Sequence, residues 1–222
     1  MQKMSTLFEK DPNNLSRVID KVAPENMWVF EDEGVQATRK FDGTSCAIIG
    51  GKLYKRYMVR CHKDVRNCRP IPDGAIPCSD LGVVEIETGW SHWIPCDRDN
   101  PADKYHWEGY DNLLGPHFPV GQSVQESIDT EDSLMKSGKF DGSYELCGPK
   151  VQNNPEGFEE HVLIRHGVVG WPHYNDRTFE DFKNFLEGMD IEGIVFHHPN
   201  NKPNDPNNRY CKLRKTDFGL KR

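Results

Sequence analysis

The stretch GVQATRKFDGTSCAIIGGKLYKRYMVR, residues 34–60, contains the pattern that decides the fold. Apolar and polar residues alternate over 34–40, which is typical of a strand with one buried face. The β-rich run TSCAII then ends at Gly50-Gly51, and a second run, KLYKRYMVR, follows at once. Two such runs around a two-glycine turn predict a β-hairpin over 44–60.

The same patterns extend over the rest of the chain. Further strands are predicted over 83–88, 142–148, 160–169, 193–198 and 209–215. Helices are predicted over 11–22, 103–114 and 178–188, and loops over 61–82 and 200–208. Many strands with few helices predict an α+β fold of antiparallel sheets with flanking helices, arranged as a single domain over residues 1–222.

Composition narrows the class of protein. The chain has 222 residues, of which 36% are hydrophobic and 10% aromatic, so it can bury a core and is not disordered. No apolar run approaches the roughly 20 residues that cross a bilayer, and the N-terminus lacks the apolar segment of a signal peptide. We expect an intracellular protein, cytoplasmic or nuclear, with no membrane partner.

The cysteines indicate a reducing compartment. There are seven of them, an odd count, and no C-x-x-C pair occurs. Reduced thiols are the simplest interpretation. A zinc site built from Cys61, His62, Cys68 and Cys78 is an open alternative, although its spacing matches no common ligand pattern.

The charge is acidic overall but unevenly spread. The formal net charge of −7 counts against a simple nucleic-acid binder, which has a basic surface. Two segments, 52–69 and 212–222, are nevertheless strongly basic. They fit an enzyme that holds a polyanion at one site, and two solvated surface stretches are the alternative.

A candidate nucleophilic lysine lies at the end of the first predicted strand. Lys40 opens the sequence Lys40-Phe41-Asp42-Gly43, in which the glycine permits a tight turn. Such an amine becomes a nucleophile when burial or a neighbouring cation lowers its pKa. Attack on the α-phosphate of a nucleotide would then form a phosphoramidate, but a surface lysine beside a turn explains this short motif equally well.

Other charged residues follow Lys40 in a fixed order. They are the basic pair Lys55 and Arg56, Glu145 in the strand SYELCG, Glu192 before the apolar run GIVF, and the closing pair Lys212 and Arg214. Two residues apart on a strand, the last two cations lie on the same face.

This order resembles the covalent nucleotidyltransferase superfamily of ATP-dependent ligases and RNA-capping guanylyltransferases. The resemblance implies an ATP-grasp-like ligase core without the OB domain that many relatives append, since the chain ends eight residues after Arg214. It also implies that Lys40 becomes adenylylated by ATP. The implied nucleotide-binding residues are Arg39, Lys40, Lys55, Arg56, Glu145, Glu192, Lys212 and Arg214.

The resemblance further divides the chemistry among these residues. Lys40, Lys212 and Arg214 act on the α-phosphate, and Asp42 orients water or the lysine. Glu192 lies near the metal, Mg²⁺ or Mn²⁺. Many ligases have a glutamate directly before the nucleophile, and Arg39 stands there instead, where it would lower the Lys40 pKa or contact phosphate.

Two stretches narrow the resemblance to the 5′-to-3′ RNA ligase family known from vertebrates. They are IPCDRDNPADKYHWEGYD (94–111) and YELCGPKVQNNPEGFEEHVLIRHG (144–167). The implied partner is RNA with 5′-phosphate and 3′-hydroxyl ends, handled by a monomer with no protein partner. For NPADKYHW we favour a structural role, in which Asn100, Pro101 and Asp103 cap a helix whose Tyr105 and Trp107 lie in the core. Direct contact with the substrate is the alternative.

Three other functions stay open from sequence alone. They are a nicked-duplex DNA ligase, a guanylyltransferase that uses GTP, and a nucleic-acid binder without activity. His161 and His166 are candidates to stack on the adenine, although a structural role is the simpler interpretation for each.

Overall fold

A computed structural model describes residues 4–59, 71–78, 90–114, 138–168, 170–171, 178–202 and 208–221. The fold is mixed α+β, with several sheets and few helices. The strands are β1 (Ser5–Thr6), β2 (Phe8–Asp11), β3 (Asn14–Val22), β4 (Gln36–Lys40), β5 (Thr44–Ile49), β6 (Lys52–Val59), β7 (Ile76–Pro77), β8 (Trp90–Pro95), β9 (Gly142–Cys147), β10 (Val162–Arg165), β11 (Gly170–Trp171), β12 (Gly193–His197) and β13 (Tyr210–Arg214). The helices are α1 (Trp28–Glu31), α2 (Lys104–Leu114), α3 (Phe179–Gly188) and α4 (Lys215–Phe218).

The chain divides into two compact units. The first lies within Gly43–His166, and the second combines Lys3–Asp42 with Gly167–Arg222. The division falls between Asp42 and Gly43, inside the KFDG motif. The single domain expected from sequence stays a prediction, because two compact units can belong to one folding domain.

The second unit is built on a five-stranded sheet in the order β1-β13-β12-β4-β11. All its neighbouring strands are antiparallel except β1 and β13, which are parallel. Ile194 and Phe196 of β12 lie on one face with Leu213 of β13, and all three are fully buried. Phe182 and Leu186 of α3 belong to the same apolar cluster, so the apolar face of this helix packs on the sheet.

The first unit is built on a six-stranded antiparallel sheet in the order β10-β9-β5-β6-β8-β7. The predicted hairpin is confirmed as β5 and β6. Gly50 and Gly51 turn the chain with φ values of 55° and 74°, a conformation that glycine adopts without strain. Tyr110 and Leu114 of α2 are buried in the core of this unit.

The helix predicted over 11–22 is wrong. This segment forms β3, which pairs with β2 as a two-stranded antiparallel sheet. Asn14 lies at the start of β3, where its Oδ1 accepts hydrogen bonds from the Ser16 backbone N and side-chain Oγ. The β-branched residues of the segment fit the strand, and Val18 is its buried member.

Most other predicted elements are confirmed, but several short elements and one longer strand were missed. The helix over 103–114 begins after a 3₁₀ turn at which Asn100 Oδ1 accepts from Ala102 N, and α3 begins at a capping box of Thr178 and Asp181. Sequence patterns did not predict strand β8 or the short elements β1, β2, β7, β11, α1 and α4. The strand over 83–88 and the zinc candidates Cys61, His62 and Cys68 lie outside the described residues. Among the described residues, no helix is long and apolar enough to cross a membrane.

Gly193→Ala is expected to destabilise the second unit by about 1–3 kcal/mol, since an added methyl group overpacks the core. A Cβ at Gly193 would lie 2.2 Å from the backbone O of Leu213, which cannot move without opening the β12–β13 pairing. Gly188→Ala is the matched control, because a Cβ there meets no atom within 4 Å. Urea unfolding should therefore show a lower free energy of unfolding only for Gly193→Ala. Equal stability of the two variants would contradict the close approach of Gly193 to the Leu213 backbone O.

Candidate active site

Three strands of the second unit bring predicted site residues into two adjacent rows. Lys40 of β4 pairs with Gly193 of β12, which pairs with Arg214 of β13. The second row lies two residues further along the strands, where Val195 of β12 pairs with Thr38 of β4 and with Lys212 of β13. Residues two apart on a strand share a face, so Lys40, Lys212 and Arg214 lie on the same face of this sheet.

Lys40 is held by Glu192. Its Nζ makes an ion pair and hydrogen bond with Glu192 Oε2, and both side chains are about four-fifths buried, with exposures of 20% and 18%. Burial raises the pKa of Glu192, Lys40 lowers it, and nearby Asp42 raises it further, so the pKa lies above its ordinary value. The Glu192 carboxylate is therefore paired with the Lys40 ammonium in a buried environment that disfavours its negative charge.

Lys212 lies in the same charged cluster. Burial lowers its pKa, and the positive charges of Arg214 and Lys40 lower it further, against the opposing effect of Asp217 and Glu192. A half-buried cation surrounded by other cations is stabilised by an added anion. The face thus has the charge and the donors that bind phosphate oxygens.

Asp42 stands just after β4 and influences the charge of Glu192, so it lies near the Lys40–Glu192 pair. Both carboxylates belong to the donor class that magnesium prefers. The orienting role expected of Asp42 stays a prediction.

Arg39 points away from this face. Because adjacent residues of a strand lie on opposite faces, Arg39 lies on the other face of the sheet from Lys40. It pairs in register with buried Ile194. Its guanidinium lies over the Phe41 ring, 4.7 Å from the ring centroid. The nucleotide-binding role predicted for Arg39 remains a prediction, and its position argues more for packing than for contact with the lysine.

The Glu145 side chain is held in place by hydrogen bonds within the first unit. It is 9% exposed, and its Oε1 accepts from Gly43 N at 3.2 Å. Its Oε2 contacts Ser45 Oγ at 3.1 Å and His166 Nε2 at 3.0 Å. A Cβ on Gly43 would lie 2.2 Å from the Leu146 backbone O, so the glycine of KFDG is required for this close approach.

The two histidines considered for base stacking both have protein partners. His161 is buried, bonds to Glu108 at 2.7 Å and stacks on Tyr105 with ring centroids 4.5 Å apart. His166 bonds to Ser143 as well as to Glu145. These contacts support the structural interpretation, above all for His161.

Lys55 and Arg56 are engaged by other side chains of the first unit. Lys55 Nζ pairs with the carboxylate of Asp103, which is 1% exposed. Arg56 donates to Ser91 Oγ through Nε at 3.0 Å and Nη2 at 2.8 Å. The sequence pattern predicted only a capping role for Asp103, and the pairing with Lys55 was missed because the two residues are 48 positions apart and no local signal joins them.

Cys96, Asp103 and His106 have ligand atoms within 4.8 Å of one another, as a metal site requires. Burial raises the Cys96 pKa to about 12 and lowers the His106 pKa, so both groups stay neutral. The Lys55 ammonium already neutralises the carboxylate of Asp103. The cluster is therefore better explained as a binding site for the Lys55 side chain than as a metal site.

Neither a scan against models of protein families nor a search of curated proteins returned a match for this chain.

Proposed function

We propose that this protein is an ATP-dependent RNA ligase that joins 5′-phosphate and 3′-hydroxyl ends, and that its α+β architecture is a nucleotidyltransferase core. One observation carries the proposal: β4, β12 and β13 bring Lys40, Lys212 and Arg214 to one face, with Glu192 bound to Lys40. A lysine nucleophile, two further cations and a carboxylate are the groups that lysyl-AMP chemistry needs.

In the first step, the amine of Lys40 attacks the α-phosphorus of ATP. An N–P bond forms, the bond from the α-phosphorus to the bridging oxygen breaks, and pyrophosphate leaves. Lys40 must first lose a proton, and Glu192 is in direct contact to receive it or to pass it to water. Lys212 and Arg214 would stabilise the charge that develops on the phosphate oxygens.

A divalent cation fits the carboxylates of this site. Glu192, with Asp42 nearby, would hold Mg²⁺ or Mn²⁺ together with water, since Mg²⁺ needs only one or two carboxylates. When bound, the metal supplies charge neutralisation to the phosphates of ATP. The carboxylate of Glu192 would serve either as a ligand of this metal or as the partner that receives the Lys40 proton.

Two further steps complete sealing. An oxygen of the RNA 5′-phosphate attacks the lysyl-AMP, which breaks the N–P bond and forms an adenylylated RNA end. The RNA 3′-hydroxyl then attacks the 5′-phosphorus, and AMP leaves as the phosphodiester forms. The nucleotide-binding roles that the resemblance implies for Glu145, Lys55 and Arg56, in the first unit, stay predictions.

Incubation with α-labelled ATP or α-labelled GTP, followed by denaturing electrophoresis, tests the proposal. We expect a covalent label from ATP that needs a divalent metal, and no label from γ-labelled ATP, since pyrophosphate leaves. Protein treated beforehand with pyrophosphate to remove any bound AMP is the control. A label from GTP alone would replace the proposal with RNA capping, and no label from either nucleotide would refute it.

Matched nicked and single-stranded substrates of RNA and DNA test the choice of polymer. We expect sealing of RNA with a 5′-phosphate and a 3′-hydroxyl, and none when either group is altered. Preferred sealing of nicked DNA duplexes would identify a DNA ligase instead.

A further inference from the structure

Asp217 is a fully buried carboxylate outside the set of site residues predicted from sequence. It lies in α4, which follows β13 directly, and its side chain has 0% exposure. Its Oδ2 accepts from Arg214 backbone N at 2.9 Å and from Arg214 Nε at 3.3 Å. Its Oδ1 accepts from Arg214 Nη2 at 3.0 Å. One carboxylate thus binds the backbone and one edge of the guanidinium of the same residue.

Lys10 of β2 completes the group. Its Nζ donates to Asp217 Oδ1 at 2.6 Å, across 207 positions of sequence. Burial alone would raise the Asp217 pKa, but the hydrogen bonds and charges of Arg214 and Lys10 hold it below the usual range. The carboxylate is therefore ionised, and it is bound to two cations.

This arrangement keeps a positive charge while it restricts movement. A carboxylate paired with Arg214 alone would cancel much of the field that a phosphate experiences, whereas Lys10 leaves the three side chains with a net positive charge. The exposures of Lys10 and Arg214 are 29% and 34%, so both cations reach solvent while the anion does not. The contact with Asp217 uses Nε and Nη2, which leaves Nη1 of Arg214 outside the pair.

We propose that Asp217 is a positioning residue that fixes the Arg214 guanidinium for phosphate binding, and that Lys10 preserves the positive charge of the pair. This inference rests on the proposed function. It differs from a helix-capping role for Asp217, because a cap needs only an oxygen acceptor for the Arg214 backbone N.

Asp217→Asn separates positioning from capping, since asparagine keeps the size and an acceptor oxygen but loses the charge. We expect the rate of covalent AMP labelling to fall about 10- to 100-fold, as for groups that orient a directly acting residue. The loss should be in kcat, with a smaller change in the KM for ATP. Labelling at the wild-type rate would overturn the proposal.

A double-mutant cycle shows whether Asp217 acts through Arg214. If it does, D217N combined with R214A should label no more slowly than R214A alone, since residues that act as a unit are not additive. Losses of the labelling rate that multiply in the double variant would overturn the proposal.

If D217N does not fold, R214K replaces it, because lysine cannot make the two-bond contact with Asp217. We expect the rate of AMP labelling to fall at least about 10-fold in R214K, and labelling at the wild-type rate would overturn the proposal.

Lys10→Met tests the charge that Lys10 supplies. We expect the KM for ATP to rise several-fold, with a weaker dependence on salt, and kcat to change little. Lys21→Met is the matched control, since Lys21 lies on the neighbouring strand β3 in an exposed pair with Glu9. Equal effects of the two variants would remove Lys10 from the proposal.

A second readout does not depend on activity. The Arg214 Nε–H resonance should be sharp and slow to exchange in wild-type protein, and it should lose this protection in D217N. A wild-type protein that takes no label but shows the protected resonance would refute the ligase function and the catalytic purpose of Asp217, while its contact with Arg214 stands. A labelled wild type with an unprotected Arg214 would refute the positioning alone.

Discussion

Lys40→Ala is expected to abolish the transfer of AMP from ATP to the protein, with a loss of about 10⁴-fold or more, because the variant removes the attacking nitrogen. Lys40 lies at the end of β4, with a side-chain exposure of 20%, and does not belong to the apolar cluster of this unit, so the variant should stay folded. Its removal does leave Glu192 without its ion-pair partner, at 18% exposure. That carboxylate can take up a proton, since its pKa is already raised, which limits the cost to stability.

The comparison variant is Lys183→Ala. Lys183 lies in α3 of the same unit and forms an exposed ion pair with Glu180, and such pairs contribute little to stability. Denaturing electrophoresis with α-labelled ATP should show the label in Lys183→Ala and wild type and none in Lys40→Ala. A peptide map should place AMP on the peptide that contains KFDG. A label that persists after Lys40→Ala would show that another residue is the nucleophile.

Supplying RNA that already has an adenylylated 5′ end bypasses the first two steps. Lys40→Ala should still seal this substrate, because the nucleophile is no longer needed when AMP is already on the RNA. Failure to seal it, in a folded variant, would mean that Lys40 has a second role in closing the strand.

Glu192→Gln is expected to slow labelling by about 10²-fold or more, because it removes the carboxylate that contacts Lys40 and that would hold the metal. The amide has nearly the same volume, so the loss comes from charge and not from packing. Glu192 stands directly before Gly193, and its backbone O accepts from Lys215 N at 3.0 Å, a contact that the variant keeps. Thermal unfolding should confirm that the variant is folded.

Titration with Mg²⁺ separates the two roles of Glu192. If the carboxylate holds the metal, Glu192→Gln should need about 10- to 100-fold more Mg²⁺ for half-maximal labelling. If it acts only on Lys40, the metal requirement should stay the same while the maximal rate falls. Glu180→Gln, an exposed carboxylate on α3, is the matched control and should behave as wild type. Unchanged labelling by Glu192→Gln would remove this residue from the site.

The error over residues 11–22 shows the limit of local patterns. Val18, Ile19 and Val22 satisfy a helical spacing, yet they are β-branched and fit a strand equally well. Pairing with β2 decided between the two structures. Where a pattern was unambiguous the prediction held: Gly50-Gly51 formed the hairpin turn, and α3 formed directly after Thr178 with its apolar face buried.

Local sequence by itself determined the mixed α+β class, because the alternation of apolar residues and the turn and cap residues act over a few positions. It also supplied the chemical types of Lys40, Glu192, Lys212 and Arg214. Only the tertiary structure decided that Lys40 contacts Glu192 across 152 positions, and that β4, β12 and β13 align three cations on one face. The pairings of Lys55 with Asp103 and of Lys10 with Arg214 through Asp217 were likewise beyond local patterns. Strand register and long-range burial set such contacts, and a change of register by one residue would turn every side chain to the other face.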